Sequence, residues 1–184
     1  MITAKPEDNP ASLAAGEKGD SSLIEHIQAL RRYARALVGN HADAEDIVQE
    51  TLKRALNYLD GSKRIDNLRA YLFTILHNVR IDALKRRRRE GAQVPVEDTT
   101  IASPEASQTD KLAARQALEA IQKLSEEHRE VLLLVGVEEM TYREAADILG
   151  IAIGTVMSRL NRARAALRKV LEIDGRPLDL DVES

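Results

Sequence analysis

An all-α fold of two small helical domains joined by a flexible acidic linker, the second ending in a helix-turn-helix, is what three observations predict. Apolar residues recur at spacings of three and four through most of the chain. Aromatic residues make up only 3%, with one Phe and no Trp, and a chain rich in Ala, Leu, Arg and Glu favours helices. One stretch breaks the pattern: residues 90–110 hold five acids, two prolines and no base. The expected division is a disordered tail over 1–20, a first domain over 21–89, the linker over 90–110, a second domain over 111–172 and an acidic tail over 173–184.

The elements follow in order. Helix one is expected over 22–38, with Leu23, Ile27, Leu30, Ala34 and Leu37 as its buried stripe, ended by Gly39-Asn40. Asp43 opens helix two, whose Ala44, Ile47, Val48, Leu52, Ala55 and Leu59 face a core. Its opposite face carries Glu45, Asp46, Gln49 and Glu50, with Lys53 and Arg54 only at the far end. Acid near a helix start suits the helix dipole. Acid left uncompensated also suits a basic protein partner. A loop with Lys63 and Arg64 leads to helix three, capped by Asp66, with Leu68, Leu72, Ile75, Leu76, Val79 and Ala83 inward. Asn78, Arg80, Asp82 and Lys85 are expected outside. Residues 85–89 are five consecutive cations, more than dipole capping needs and suited to phosphate.

Fully extended, the linker reaches about 70 Å at roughly 3.3–3.6 Å per residue, so the two domains could touch one duplex at separate sites. In the second domain, Leu112, Ala113, Leu118, Ile121 and Leu124 form an inward stripe, and Ser125 caps a helix whose residues 131–135 are buried. The stretch 141–168 then reads as helix, turn, helix. Thr141 and Glu144 match the capping-box pattern T-x-x-E, and Gly150 stands where a left-handed residue closes a helix. The second helix starts near Gly154-Thr155 and places Val156, Leu160, Ala163, Leu167 and Val170 on one stripe. Thr155, Ser158, Arg159 and Arg162 fall on another. Between Thr155 and Leu171 it has five cations (Arg159, Arg162, Arg164, Arg168, Lys169) and no acid. One face docked, the other polar and cationic, is what major-groove reading requires.

The net charge of −3 hides this segregation, and local patches set phosphate attraction once salt screens beyond about 10 Å. There is no cysteine, which excludes disulfides and thiolate metal sites. The longest apolar uncharged run, 131–137, is far short of a membrane span, and no signal-peptide pattern is present. A cytoplasmic protein without membrane insertion is expected. The four histidines show no metal-ligand spacing, and there is no phosphate-binding glycine loop or nucleophile elbow. Acidic pairs such as Glu126-Glu127 and Glu138-Glu139 read as surface residues. The expectation is no enzyme, no metal and no cofactor.

The chain resembles a bacterial RNA polymerase sigma factor of the extracytoplasmic-function (ECF) group. Four stretches carry the resemblance: DAEDIVQETLKRAL, NLRAYLFTILHNVRIDALKRRRR, LSEEHREVLLLVGVEEMTYREAADILGI and IGTVMSRLNRARAALR. They cover roughly residues 22–172. The resemblance implies that Asp46, Gln49 and Glu50 grip core RNA polymerase. It implies that Lys63, Arg64, Asn78, Lys85 and Arg86 engage the −10 element of promoter DNA. Thr155, Ser158, Arg159 and Arg162 would read the −35 element. It also implies a monomer when free, an anti-sigma factor as partner, and a linker lying in the polymerase's RNA channel. Two departures stand out: Met157 occupies a position often basic in the family, and Ala152 one where proline is frequent. Two other functions fit parts of the chain. A sigma mimic would only sequester an anti-sigma factor, and a dimeric repressor would use the same helix-turn-helix on a palindrome.

Overall fold

The computed structural model describes residues 10–59, 65–90 and 108–173, and these are helical with short connections. The helices are α1 (Pro10–Val38), α2 (His41–Leu59), α3 (Leu68–Glu90), α4 (Gln108–Gln122), α5 (Glu126–Leu132), α6 (Tyr142–Leu149) and α7 (Ile153–Ile173). Between α5 and α6 the chain widens into a π-helical turn, Leu133–Val137. The expected linker lies outside the described residues over 91–107, as does the acidic tail over 174–184. No described helix is long and apolar enough to cross a membrane.

Several boundaries differ from expectation. Helix α1 begins at Pro10 rather than near residue 22. Proline suits the first helical position, and Ala11, Leu13, Ala14 and Ala15 are strong helix formers, which offsets Gly16 and Gly19. Helix α4 takes in residues 108–110, which their composition places in the linker. The caps also differ: Asn40, three residues before Asp43, caps α2, and Asn67, one residue after Asp66, caps α3. Asn40 Oδ1 accepts from the Asp43 amide at 3.1 Å, and Asn67 Oδ1 accepts from the Ala70 amide at 3.0 Å. Asparagine is as good an N-cap as aspartate, and both sit at the right register. Ser125 occupies the N-cap of α5 but its side chain makes no capping bond.

The expected stripes of α1, α2 and α3 are buried or half-buried in one core. Tyr33 and Phe73 join it, with ring centroids 5.2 Å apart at 70°. That core continues into the second half through Leu118, Leu124, Val131, Leu133, Leu134, Met140 and Ala145. Leu112 is exposed rather than inward, and the side chain of Ala113, expected beside it, lies outside the described residues. Arg129 ties several helix ends together. Its guanidinium donates to the carbonyls of Ile121 (3.2 Å), Gln122 (2.5 Å), Leu124 (3.0 Å) and Leu37 (2.9 Å). Carbonyls at the ends of α4 and α1 would otherwise lack intrahelical donors.

The helix-turn-helix is built as its residues require. The Thr141 side chain accepts from the Glu144 amide and the Glu144 carboxylate accepts from the Thr141 amide, closing the capping box. Gly150 ends α6 at φ 64, ψ 35, a conformation that costs other residues roughly 1–2 kcal/mol. The Thr141 backbone bond, then its hydroxyl, hold the Glu144 carboxyl below its ordinary range. A depressed folded-state pKa stabilises above the unfolded value and is lost as pH falls through the folded one. Thr141→Ala is expected to cost about 1 kcal/mol at neutral pH in urea denaturation, with the deficit shrinking below the carboxylate range. A deficit independent of pH would place the effect elsewhere.

Candidate nucleic-acid interface

Helix α7 presents two faces. Val156, Leu160 and Ala163 are fully buried against the domain. This is the docked stripe. Ser158 and Arg162 are exposed and Thr155 and Arg159 are half-buried, so the four candidate residues share the outer side. Ser158 Oγ donates to the Thr155 carbonyl at 3.1 Å. Arg159 is not a lone cation: its Nη2 lies 3.0 Å from Glu127 on α5. Glu127 is well exposed, so a phosphate or base edge could displace it at small cost, since such surface pairs contribute about 0–1 kcal/mol. Met157 is 47% exposed on the same surface, an apolar contact beside the arginines. Arg164, Arg168 and Lys169 are exposed further along.

On α3, Asn78 and Lys85 are exposed and seven residues apart, hence on one face, with exposed Arg86 beside them. The basic block is not wholly free for phosphate, because Arg87 is ion-paired with Asp43 of α2. Lys63 and Arg64 lie outside the described residues. On α2, Asp46 and Gln49 are exposed and Glu50 is partly so. The acid there is far from uncompensated. Glu50 binds Arg54 at 2.8 Å and lies 4.0 Å from Lys53, while Glu45 binds Arg31 at 3.0 Å and Arg35 at 2.9 Å. The Arg54 hydrogen bond, foremost, holds the Glu50 carboxyl below its usual range. These cations come from one turn along the same helix and from α1, a neighbour that spacing along α2 cannot reveal. Asp43, Asp46 and Glu50 of α2 and Arg86, Arg87 and Arg89 of α3 line one groove. The candidate polymerase-facing and DNA-facing residues thus meet along a shared edge.

Two expected surface groups are buried. Arg80, expected outside, is 5% exposed and donates to Glu130 at 2.6 Å and to Glu126 at 2.5 Å, both on α5. Its spacing of four from Leu76 and eight from Leu72 was the available signal that it lies on the buried stripe. Glu138, expected at the surface, has a side chain with no exposure. Arg32 of α1 holds it bidentately at 3.0 and 2.9 Å, and Arg69 of α3 reaches its carboxylate at 3.2 Å and its carbonyl at 2.5 Å. The π turn leads into this position, the Glu138 amide bonding back to Leu133 at 2.9 Å, and such turns often mark functional places. Among the described residues no His, Asp and Glu cluster could hold a metal ion.

A cationic recognition helix behind a capped helix-turn-helix, set beside a second helical unit, defines a DNA-binding transcription protein. Residues 114–167 match the family Sigma-70, region 4, and residues 23–77 match the Sigma2 domain of PhyR. The chain is 39% identical over 153 residues to the ECF RNA polymerase sigma factor EcfG of Rhodopseudomonas palustris, covering 83% of this chain and 84% of that one. It is 39% identical over 153 residues to the ECF RNA polymerase sigma factor SigL of Mycobacterium tuberculosis, covering 80% and 85%. Among solved structures, the sigma factor RpoE of Bartonella quintana, crystallised with the anti-sigma factor NepR, superposes with a TM-score of 0.75 at 34% identity. That match covers 86% of this chain and 99% of the other. The chain belongs to the ECF RNA polymerase sigma factors.

Proposed function

We propose that the protein is a promoter-specificity subunit that binds core RNA polymerase, reads two promoter elements and initiates transcription, performing no covalent step itself. On this reading residues 21–89 and 111–172 are its two working units. The exposed edge of α2 (Asp46, Gln49, Glu50) meets the polymerase. Asn78, Lys85 and Arg86, with Lys63 and Arg64, hold the −10 strand, cations on the backbone and the amide on a base edge. Thr155, Ser158, Arg159 and Arg162 read the −35 element, where arginine can bind guanine bidentately. The observation that carries this is α7 itself: a buried apolar stripe backing an acid-free cationic face. An anti-sigma factor is the expected regulator, since the RpoE structure contains one. The reading implies a cytoplasmic protein. The match of the first half to a PhyR domain suits a mimic, yet relatives named as sigma factors align across both halves.

Run-off transcription with core polymerase, on promoter fragments selected by the protein, tests this. Arg159→Ala/Arg162→Ala is expected to lower initiation about tenfold or more, each lost base contact being worth roughly 1–3 kcal/mol. Asp46→Ala/Glu50→Ala is expected to lose core binding while keeping DNA binding. Binding to a palindrome with no polymerase dependence would indicate a repressor instead, and capture of an anti-sigma factor with neither other activity would indicate a mimic.

A further inference from the structure

We infer that Ile153 and Met157, at the leading end of α7, read thymine in the −35 element through its C5 methyl group, so that promoter choice is set in part by an apolar contact. The inference rests on the promoter-specificity reading and adds two residues that this reading leaves out.

Two large apolar side chains stand in water on the cationic helix. Ile153 is 40% exposed and Met157 47%. Four residues apart on one helix, they are surface neighbours on the same face. A lone exposed apolar residue needs no explanation. A pair at the end of a recognition helix that enters the groove is different, because the thymine methyl is the apolar group that base pairs present there.

Their position is the one that reads. In a helix-turn-helix the N-terminal residues of the second helix contact base edges. Helix α7 begins at Ile153, which puts Ile153 in its first turn and Met157 at the start of the next. Between them, a Cβ built on Gly154 would meet nothing within 4 Å, so the backbone there is bare and open to close approach.

The charges divide the work. Residues 151–158 contain no charged side chain. Arg159, two residues beyond Met157, turns to another side of the helix, where Glu127 of α5 holds it at 3.0 Å. Met157, Asn161, Arg164 and Arg168 follow at spacings of three and four and share one face, and all four are exposed. Arg164 and Arg168, further along, are placed for the phosphate backbone. A base at the leading end therefore meets a thioether, an isoleucine and the Ser158 hydroxyl, with no cation on that face. Guanine, with two acceptors on its major-groove edge, is best read by arginine or lysine, whereas an apolar surface suits the thymine methyl. The unbranched, flexible thioether can follow the position of that methyl.

The test selects promoter fragments from random duplexes with the full chain bound to core polymerase. Each thymine of the enriched −35 element is then replaced singly by deoxyuridine, which removes the methyl and keeps every hydrogen-bonding group. At one position or more, the replacement is expected to lower holoenzyme binding about three- to fivefold, the effect of withdrawing one methyl group from apolar contact. Met157→Ala, and separately Ile153→Ala/Met157→Ala, should bind the thymine fragment more weakly by a similar factor and no longer distinguish it from the deoxyuridine one. Met157→Leu should restore the distinction, and Arg162→Ala should weaken both fragments alike while keeping their ratio. An enriched element in which no thymine responds to loss of its methyl overturns the inference and leaves the promoter-specificity reading standing. So does a methyl response that survives in Ile153→Ala/Met157→Ala. Indifference to the methyl, with a concentration-dependent dimer that Met157→Ala abolishes, would assign the pair to a second copy of the chain and overturn it too. Failure of the holoenzyme to enrich any −35 element overturns the promoter-specificity reading, and the methyl contact with it.

Discussion

Phe73→Ala is expected to destabilise the first half by about 3–5 kcal/mol, the range for emptying an aromatic site in a packed core. Phe73 is fully buried, with its ring edge-on to Tyr33 and the Arg69 guanidinium 5.7 Å from its centroid. It is the only phenylalanine in the chain, so aliphatic neighbours must close the void. They can do so only in part, because interiors are near close-packed. Urea denaturation followed by far-UV circular dichroism measures the loss. Phe73→Leu should recover more than half of it by filling volume without the ring contact. A cost below about 1 kcal/mol for the alanine variant would mean that the α1–α3 contact is not organised around this pair.

Arg80→Ala is expected to have the second large effect, and of a different kind. It strands Glu130 inside the protein, with His77 Nδ1 at 3.4 Å as its remaining neighbour. Leaving one member of a buried pair costs about 3–5 kcal/mol. The cost falls on the contact between halves, because Glu130 regains water when they separate. The variant should therefore open before it unfolds: the distance between dyes at Leu56→Cys on α2 and Asp147→Cys on α6, both exposed, lengthens at low urea while helicity persists. Arg80→Met/Glu130→Met should be close to neutral, since hydrophobic replacement of both partners removes the stranded charge. A single cooperative transition for Arg80→Ala, with distance and helicity lost together, would show that the halves do not separate independently.

The helical periods of α1, α2 and α3 were legible because each stripe meets water on its other side, and the 3.6-residue repeat records that contrast. Helix α7 was legible for the same reason, down to Val156, Leu160 and Ala163 inside and Ser158 and Arg162 outside. The capping box and Gly150 were legible because their bonds span three or four residues. Boundaries were less so: Pro10 and residues 108–110 are helical where polar, glycine-bearing composition suggested otherwise.

Charge was the least legible. Glu50 and Glu45 looked uncompensated, Glu138 looked exposed and Arg80 looked solvated; Glu50 is paired by Arg54 one turn along its own helix, and the other three found partners that sequence distance conceals. Arg32 and Glu138 are 106 residues apart, and Arg80 and Glu130 are 50 apart. By itself the sequence determined an all-helical chain with a cationic recognition helix, because local periodicity and capping suffice for that. Only the tertiary structure decided which carboxylates and arginines are buried together, and that the two halves close on one another. Coulomb attraction acts through space, and its partners depend on where the folded helices lie.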